Sequence, residues 1–332
     1  MPKIPREVID SVLYLYPSRE AAEAGTQFGG TGFIVAIESG IPGYIYPYAV
    51  TNWHVAVRGG ASVIRVNKIG GGVDIFEFEP HDWIFNPGGY DLAIVRLSLS
   101  SDLHNVVVLN ESMLISEKEV SELQVGPGED IFMIGRFVDH DGAETNVPAA
   151  RFGHISIMPQ PIKQPTGSLL PSFILDVHSR TGYSGSPVFV YRTATSDLSR
   201  QMQDIAITGP QFLRLLAVHW DQFPEMWEIG RGQGNHEIIE LSDDARYVRG
   251  MSGMTLAVPA WAIKELLDLP QLKDVREEDT RQEISRRYHQ NALPLVGEAA
   301  VPTAPPGDAN PDHLEDFTRL VGAASKRKPQ AD

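Results

Sequence analysis

Apolar residues along this chain come in short runs bounded by glycine, proline or polar clusters, and few of them repeat at helical spacing. Residues 11–16, 31–36, 44–52, 62–66, 73–78 and 92–97 read as strands, with Gly70, Gly71 and Gly72 predicting a hairpin turn between the fourth and fifth. A connection over 117–128 leads to a second series at 130–135, 150–157, 173–177, 186–190, 213–220 and 254–258, interrupted by inserts at 191–212 and 221–253. Short strands with turn signals between them predict an all-β barrel or sandwich. Helical signals come late. Pro259 suits a first helical position, and residues 261–267 continue from it. Beyond Pro270, residues 274–290 are mostly charged, with Val275, Ile284 and Tyr288 as sparse apolar points, and predict a solvated polar helix. Residues 292–310, rich in Pro, Ala and Gly, read as a flexible linker. It leads to a short segment, 311–324, where Leu314, Phe317, Leu320 and Val321 share one face; it reads either as a disordered tail with accidental periodicity or as a helix that docks on a protein partner.

The chain has 332 residues, 42% hydrophobic and 21% charged, as in ordinary soluble globular proteins. Its formal charge of −15 argues against a nucleic-acid binder, which usually carries a basic face. With no cysteine, disulfides, thiolate catalysis and cysteine-based metal sites are excluded. The histidines show no metal-ligand spacing, so neither metal nor other cofactor is expected. A polar N-terminus and the lack of a long apolar run lead to the expectation of a cytoplasmic protein without membrane partners.

Chemistry concentrates in Thr181-Gly182-Tyr183-Ser184-Gly185-Ser186-Pro187. Glycines on both sides of a serine allow a tight turn that presents the hydroxyl and lets backbone N–H groups converge. A serine nucleophile needs a base, and the base needs an orienting group. Two upstream stretches supply them. Thr51-Asn52-Trp53-His54-Val55 sets a histidine just after a strand, and Tyr90-Asp91-Leu92-Ala93 sets an aspartate at the start of another. His54 would take the proton of Ser184, Asp91 would hold the imidazole, and the N–H groups of Gly182 and Ser184 would bind an oxyanion. The pair Gly29-Gly30 lacks the Gly-Lys-Ser/Thr of a phosphate loop.

These three ordered motifs resemble those of the trypsin-like, chymotrypsin-fold serine peptidases. The resemblance implies a double β-barrel within a peptidase domain of residues 1–270. The N-terminal barrel would span about 8–116 and the C-terminal one about 129–270, followed by the polar helix 271–291 and the tail 292–332. Thr31-Gly32-Phe33, Gly153-His154-Ile155-Ser156 and Gly253 to Pro259 resemble the Deg/HtrA branch, although no PDZ-like domain follows residue 270. Tyr183 stands where animal trypsins carry the aspartate that pairs with a newly cut N-terminus, so activation by that ion pair is not expected.

The implied function is a serine endopeptidase acting on protein or peptide through an acyl-enzyme. The rival is a catalytically inactive binding module or interaction scaffold on the same fold. For selectivity, His178, Ser179 and Arg180 before the nucleophile and His219 and Trp220 on a later strand are the candidate substrate-binding residues. Val218-His219-Trp220 is similar to the pocket strand of bacterial glutamyl endopeptidases. There a histidine and a hydroxyl hold a substrate carboxylate, which implies an acidic residue before the scissile bond. Asp221 departs from that pattern, and the alternative is that His219 simply packs on its strand.

Overall fold

The computed structural model describes residues 4–140, 142, 144–192, 212–229 and 246–291. The linker 292–310, the docking segment 311–324 and most of the 191–212 insert lie outside the described residues.

The chain begins with a short helix, α1 (Arg6–Ile9), and a wholly buried strand, β1 (Val12–Tyr16). Helix α2 (Arg19–Ala24) follows, capped by Ser18, whose hydroxyl accepts from the N–H of Ala21. Strands β2 (Gly30–Glu38) and β3 (Ile45–Thr51) pair antiparallel, with Phe33 opposite Val50. Strands β4 (Val63–Asn67) and β5 (Val73–Phe76) form the hairpin that the glycine run predicted. The short β6 (Ile84–Phe85) and β7 (Ala93–Arg96) continue the sheet, and β8 (Leu109–Asn110) runs parallel to β2. The order β5-β4-β1-β2-β3-β7-β6 makes one curled sheet with Leu13, Ile34 and Ala49 in an apolar group on one face and, on the other, Tyr14, Phe33 and Val50 in a group continuous with the core of the second half.

Helix α3 (Glu117–Glu122) connects the halves, with Ser116 and Glu119 forming a capping box at its start. The second half is a closed barrel of β9 (Asp130–Gly135), β10 (Ala149–Lys163), β11 (Leu169–Asp176), β12 (Pro187–Arg192), β13 (Phe212–Ile229) and β14 (Arg246–Pro259), in the order β10-β11-β14-β13-β12-β9. Closure removes the free edges an open sheet would leave. Phe132 stacks on Phe189 inside it, with ring centroids 5.0 Å apart. The architecture is the expected all-β double barrel with a C-terminal helix.

Several elements depart from the sequence reading. Strand β10 runs on through Pro159 and Pro161, beyond the 150–157 that the sequence predicts. Its partner β9 is engaged only by residues up to His154, so the far half is a two-stranded ribbon with one open edge. Proline is tolerated on such an edge because no ladder donor is missing there. Likewise β13 and β14 extend well into the predicted 221–253 insert, pairing as far as Ile229 with Arg246. Pro259 ends β14 instead of opening a helix, and α4 (Trp261–Leu267) follows it.

The charged segment does form a helix, α5 (Pro270–Asn291), but it is not free in solvent. It lies on the outer face of the first sheet. Tyr46 Oη donates to the carbonyl of Arg276 at 2.6 Å, and the buried Arg276 guanidinium donates to Tyr48 Oη and to the carbonyl of Leu267. Arg96 pairs with Asp279, and Arg287 donates to the carbonyl of Pro42. Polar residues dock this helix, which is why its apolar pattern is so thin.

Candidate active site

The catalytic candidates stand where the two barrels meet. Strand β3 ends at Thr51, and the chain turns through Asn52 and Trp53 into a single wide helical turn, His54–Arg58. Asp91 lies just before β7, the neighbour of β3, so the sheet itself sets the two residues side by side. The Asp91 carboxylate is fully buried and meets His54 at two points. One oxygen accepts the backbone N–H of His54 at 2.9 Å, and the other lies 2.6 Å from Nδ1. Asn52 Nδ2 donates to the carbonyl of Asp91 at 2.9 Å, which fixes the aspartate backbone as well. A carboxylate held this way selects the tautomer with hydrogen on Nδ1, leaving Nε2 as the free base.

Ser184 comes from the other barrel, in the turn between β11 and β12. That turn is bound to the start of β2. The N–H of Thr31 donates to the carbonyl of Ser184 at 2.8 Å. A Cβ on Gly30 would lie 2.8 Å from that same carbonyl and 3.0 Å from Val55, the residue after His54, so Ser184 and the histidine turn flank Gly30. Gly185 at φ 88° crosses directly over the carbonyl of Thr31 and the hydroxyl of Thr51, where no side chain fits. No hydrogen bond joins Ser184 Oγ to His54 Nε2 among the described residues.

Upstream of the serine, the carbonyl of Arg180 accepts the N–H of Tyr183 at 3.2 Å, and the third residue of that turn is Gly182 at φ 100°. Positive φ at that position marks a type II turn, which demands glycine there. The hydrogen bonds of the segment leave the N–H groups of Gly182 and Ser184 without acceptors. Tyr183 is fully buried between them. Its ring lies over Gly135, the Arg151 guanidinium sits 5.1 Å from the ring centre, and its hydroxyl donates to the carbonyl of Ala149. Burial pushes its phenol pKa up, with Arg151 opposing.

The five candidates for substrate binding separate into two groups. His178 is exposed and lies against Gly253, while Arg180 is exposed and pairs with Asp139 at 3.1 Å. Trp220 is buried, with its indole N–H directed to Ser172 Oγ at 3.3 Å. Ser179 and His219 differ from these three. Both are nearly inaccessible, and neither Ser179 Oγ nor either ring nitrogen of His219 has a hydrogen-bond partner. The His219 backbone is tied to the nucleophile turn, accepting from the N–H of Gly185 and donating to the carbonyl of Ser186, both at 2.9 Å. Burial pushes the His219 imidazole down to about 3 and the nearby His54 acts in the same direction; the ring's approach to the Tyr183 backbone opposes, although it falls outside hydrogen-bond geometry. The ring is therefore neutral at pH 7.

Two residues at this seam escaped the sequence reading. Gln164 Oε1 lies 3.4 Å from the Asp91 N–H, and its amide donates to Ser172 Oγ at 2.9 Å, so β10 buttresses the aspartate from the second barrel. Thr31 joins both sides of the nucleophile turn to β2. Gln164 has no sequence signal, and Thr31 stands out in the sequence only as part of Thr31-Gly32-Phe33, with no role of its own. Among the described residues, no group of three or more His, Cys, Asp or Glu side chains is placed to hold a metal ion.

Residues 30–193 match the family model described as trypsin-like peptidase domain. No curated protein matches the sequence. Among solved structures, the chain is similar to the apo form of the MamO protease domain from Magnetospirillum magneticum. Identity is 14% over 78% of this chain and 96% of that one, with a TM-score of 0.45. It is also similar to the HtrA-type protease AlgW solved with a decapeptide, at 16% identity over 72% of this chain and 51% of that one, TM-score 0.41. A third is an inactive serine-to-alanine mutant of Rv3671c from M. tuberculosis H37Rv, at 15% identity over 78% and 86%, TM-score 0.38.

Proposed function

We propose, from the match of residues 30–193 to the trypsin-like peptidase domain model, that the protein is a serine endopeptidase working through Ser184, His54 and Asp91. The observation that carries this is the two-point hold of Asp91 on His54 beside a serine turn whose flanking N–H groups are unengaged. In this reading Ser184 Oγ attacks the scissile carbonyl carbon while its proton passes to His54 Nε2. Asp91 accepts the Nδ1–H and stabilises the imidazolium that forms. The carbonyl oxygen, now an oxyanion, takes hydrogen bonds from the N–H groups of Gly182 and Ser184. His54 then protonates the leaving amine, the peptide bond breaks, and a water activated by the same histidine releases the acyl group. The neutral state of His219 keeps a second positive charge away from the imidazolium.

Selectivity for an acidic residue before the scissile bond belongs to the same reading. Its support is that Ser179 Oγ and the His219 ring are buried and unpartnered, next to the nucleophile turn. An unpaired buried polar group costs about 1–3 kcal/mol, a cost a bound carboxylate would offset. The second reading is a peptide-binding module without turnover on the same fold.

A fluorophosphonate probe separates the two, since it labels only an activated serine. The expected result is labelling and peptide cleavage by the wild type. Ser184→Ala is expected to lose both, with cleavage falling by about 10⁴-fold or more and the melting temperature unchanged. Full cleavage by purified Ser184→Ala would remove the assignment, and no labelling of the wild type would favour the binding module. For selectivity, a peptide library should show Glu or Asp before the cut, and His219→Ala should erase that preference.

A further inference from the structure

The hydroxyl of Thr31 occupies a place that no step of the proposed mechanism uses. Thr31 lies at the start of β2 in the first barrel and is fully buried. Its Oγ1 donates to the carbonyl of Gly182 at 2.6 Å and accepts the N–H of Arg136 at 3.0 Å. Both partners belong to the second barrel. Gly182 supplies one of the two oxyanion donors, and Arg136 follows the last residue of β9. Meanwhile the Thr31 N–H holds the carbonyl of Ser184, and the Thr31 carbonyl accepts from the Thr51 hydroxyl at 2.7 Å. Thr51 is the residue from which the chain enters the His54 turn. A single residue is thus bonded on either side of Tyr183, and through Thr51 to the strand that carries the histidine.

We propose that Thr31 is a positioning residue that sets the oxyanion turn, with its side-chain hydroxyl locking the Gly182 peptide. The turn has two alternatives. A type II turn places φ positive at its third residue, and a type I turn places it near −90°. Flipping between them rotates the peptide that carries the Gly182 N–H and redirects that donor. The Gly182 carbonyl belongs to the adjacent peptide, and fixing it by a hydrogen bond restrains the glycine from one side. Glycine alone imposes no such preference, since it adopts either sign of φ readily. Tyr183, buried on Gly135, restrains the turn from the other side. The Arg136 N–H makes the hydroxyl hydrogen point one way: with that N–H occupying an acceptor site, the O–H is directed to Gly182. Valine has the shape of threonine but neither donates nor accepts, so it isolates the hydroxyl.

The inference rests on the reading of Ser184 as nucleophile for its catalytic consequence, but the clamp itself can be tested without turnover. The variants are Thr31→Val and Thr31→Ser, in the full chain. In hydrogen exchange, Thr31→Val should speed the amides of residues 180–185 by about 10-fold or more, an opening of the local turn, while Thr31→Ser stays near the wild type. In kinetics, Thr31→Val should lower kcat by about 10- to 100-fold, because loss of one oxyanion donor costs 10²–10³ and misplacement costs somewhat less. KM should change by less than about threefold, because ground-state binding does not use that donor. The pH midpoint of activity should not move, since the His54–Asp91 pair is untouched. Affinity for a peptide boronate, which mimics the tetrahedral state, should fall in parallel with kcat. If Thr31→Val does not fold, Thr31→Ala, which lacks the hydroxyl and relieves crowding, carries the same expectations.

Unchanged exchange at 180–185 in the valine variant overturns the clamp. So does a loss of activity shared equally by Thr31→Ser, which would indicate that shape and not hydrogen bonding matters. A wild type that neither cleaves nor labels, yet shows the exchange response, removes the peptidase reading and leaves the clamp standing.

Discussion

At the scale of the residue, the site contrasts a histidine held by a carboxylate with one that is shut away. His54 is held by Asp91, whereas His219 has no partner and burial keeps it neutral down to about pH 3. This has a consequence for stability with a definite sign. In the unfolded chain a histidine titrates near 6.5, so below that pH the unfolded state takes up a proton that the folded state refuses. Above pH 6.5 the two states agree and His219 adds no pH dependence. As pH falls from 6.5 toward 3, it destabilises the fold, by at most about 1.4 kcal/mol per pH unit. His219→Gln, which keeps a polar side chain without titration, should flatten the fall of melting temperature over that window and leave the curve above pH 7 parallel. An unaltered acid limb in the variant would show that the ring is solvated. A bound acidic side chain would raise the His219 pKa, so a peptide ending in Glu at the cleaved position should protect the wild type most at low pH. The pairing of His54 with Asp91 was legible in the sequence, because a histidine just after one strand and an aspartate opening another are informative in that order. Thr31 and Gln164 were not, since their roles depend entirely on which backbone groups the fold brings opposite them.

At the scale of the element, the sequence told strands from helices well where side chains are buried and poorly where they are not. Strand β1, with every residue buried, matched its apolar run closely. The far half of β10 and residues 221–225 of β13 are largely exposed, so alternation fades and prolines look like breaks. Helix α5 shows the same effect, because it docks through polar bonds of its own Arg276 with Tyr46 and Tyr48 and not through an apolar stripe. Arg276→Ala would leave Tyr48 Oη and the Leu267 carbonyl without their donor in a buried place. A loss of about 2 kcal/mol is expected in urea unfolding, with kcat retained. A change within experimental error would mean that water replaces the guanidinium freely. The nucleophile turn leads to a different prediction. Tyr183 fills its position with a buried ring that hydrogen-bonds to Ala149, so nothing in the turn waits for a freed amine. The uncut chain should therefore be fully active, and cleavage near Gly25 should not raise its activity. Turnover appearing only after such a cut, followed on a fluorogenic peptide, would refute this.

At the scale of the whole molecule, the site exists only if the two barrels keep their relative position, because His54 and Asp91 belong to one and Ser184 to the other. Among the bonds that cross the seam, three sets concern this site. Thr31 reaches Gly182, Ser184 and Arg136, and the tip of the β10–β11 ribbon reaches Asp91 and Gly89 through Gln164 and Thr166. The third set is farther from the chemistry. Asn67 Nδ2 donates to the carbonyl of Asn146 at 2.9 Å, and the Asn146 N–H returns a bond to Asn67 Oδ1 at 2.7 Å. The Asn146 side chain in turn bonds the carbonyl and guanidinium of Arg65. Asn146 and Arg136 flank the same connection between β9 and β10, so slack in one end reaches the N–H that Thr31 holds at the other. Asn67→Ala removes both bonds to the Asn146 backbone and leaves two polar groups without partners at the barrel junction. The expected result is a loss of about 2 kcal/mol in stability, together with a fall in kcat larger than the change in KM. Combining Asn67→Ala with Thr31→Val tests whether the two ends communicate. Independent sites would give additive losses in kcat, whereas ends of one connection should give a combined loss smaller than the sum, by about 0.5 kcal/mol or more. Strict additivity in that cycle would show that Asn67 and Asn146 hold the barrels together without bearing on the oxyanion turn.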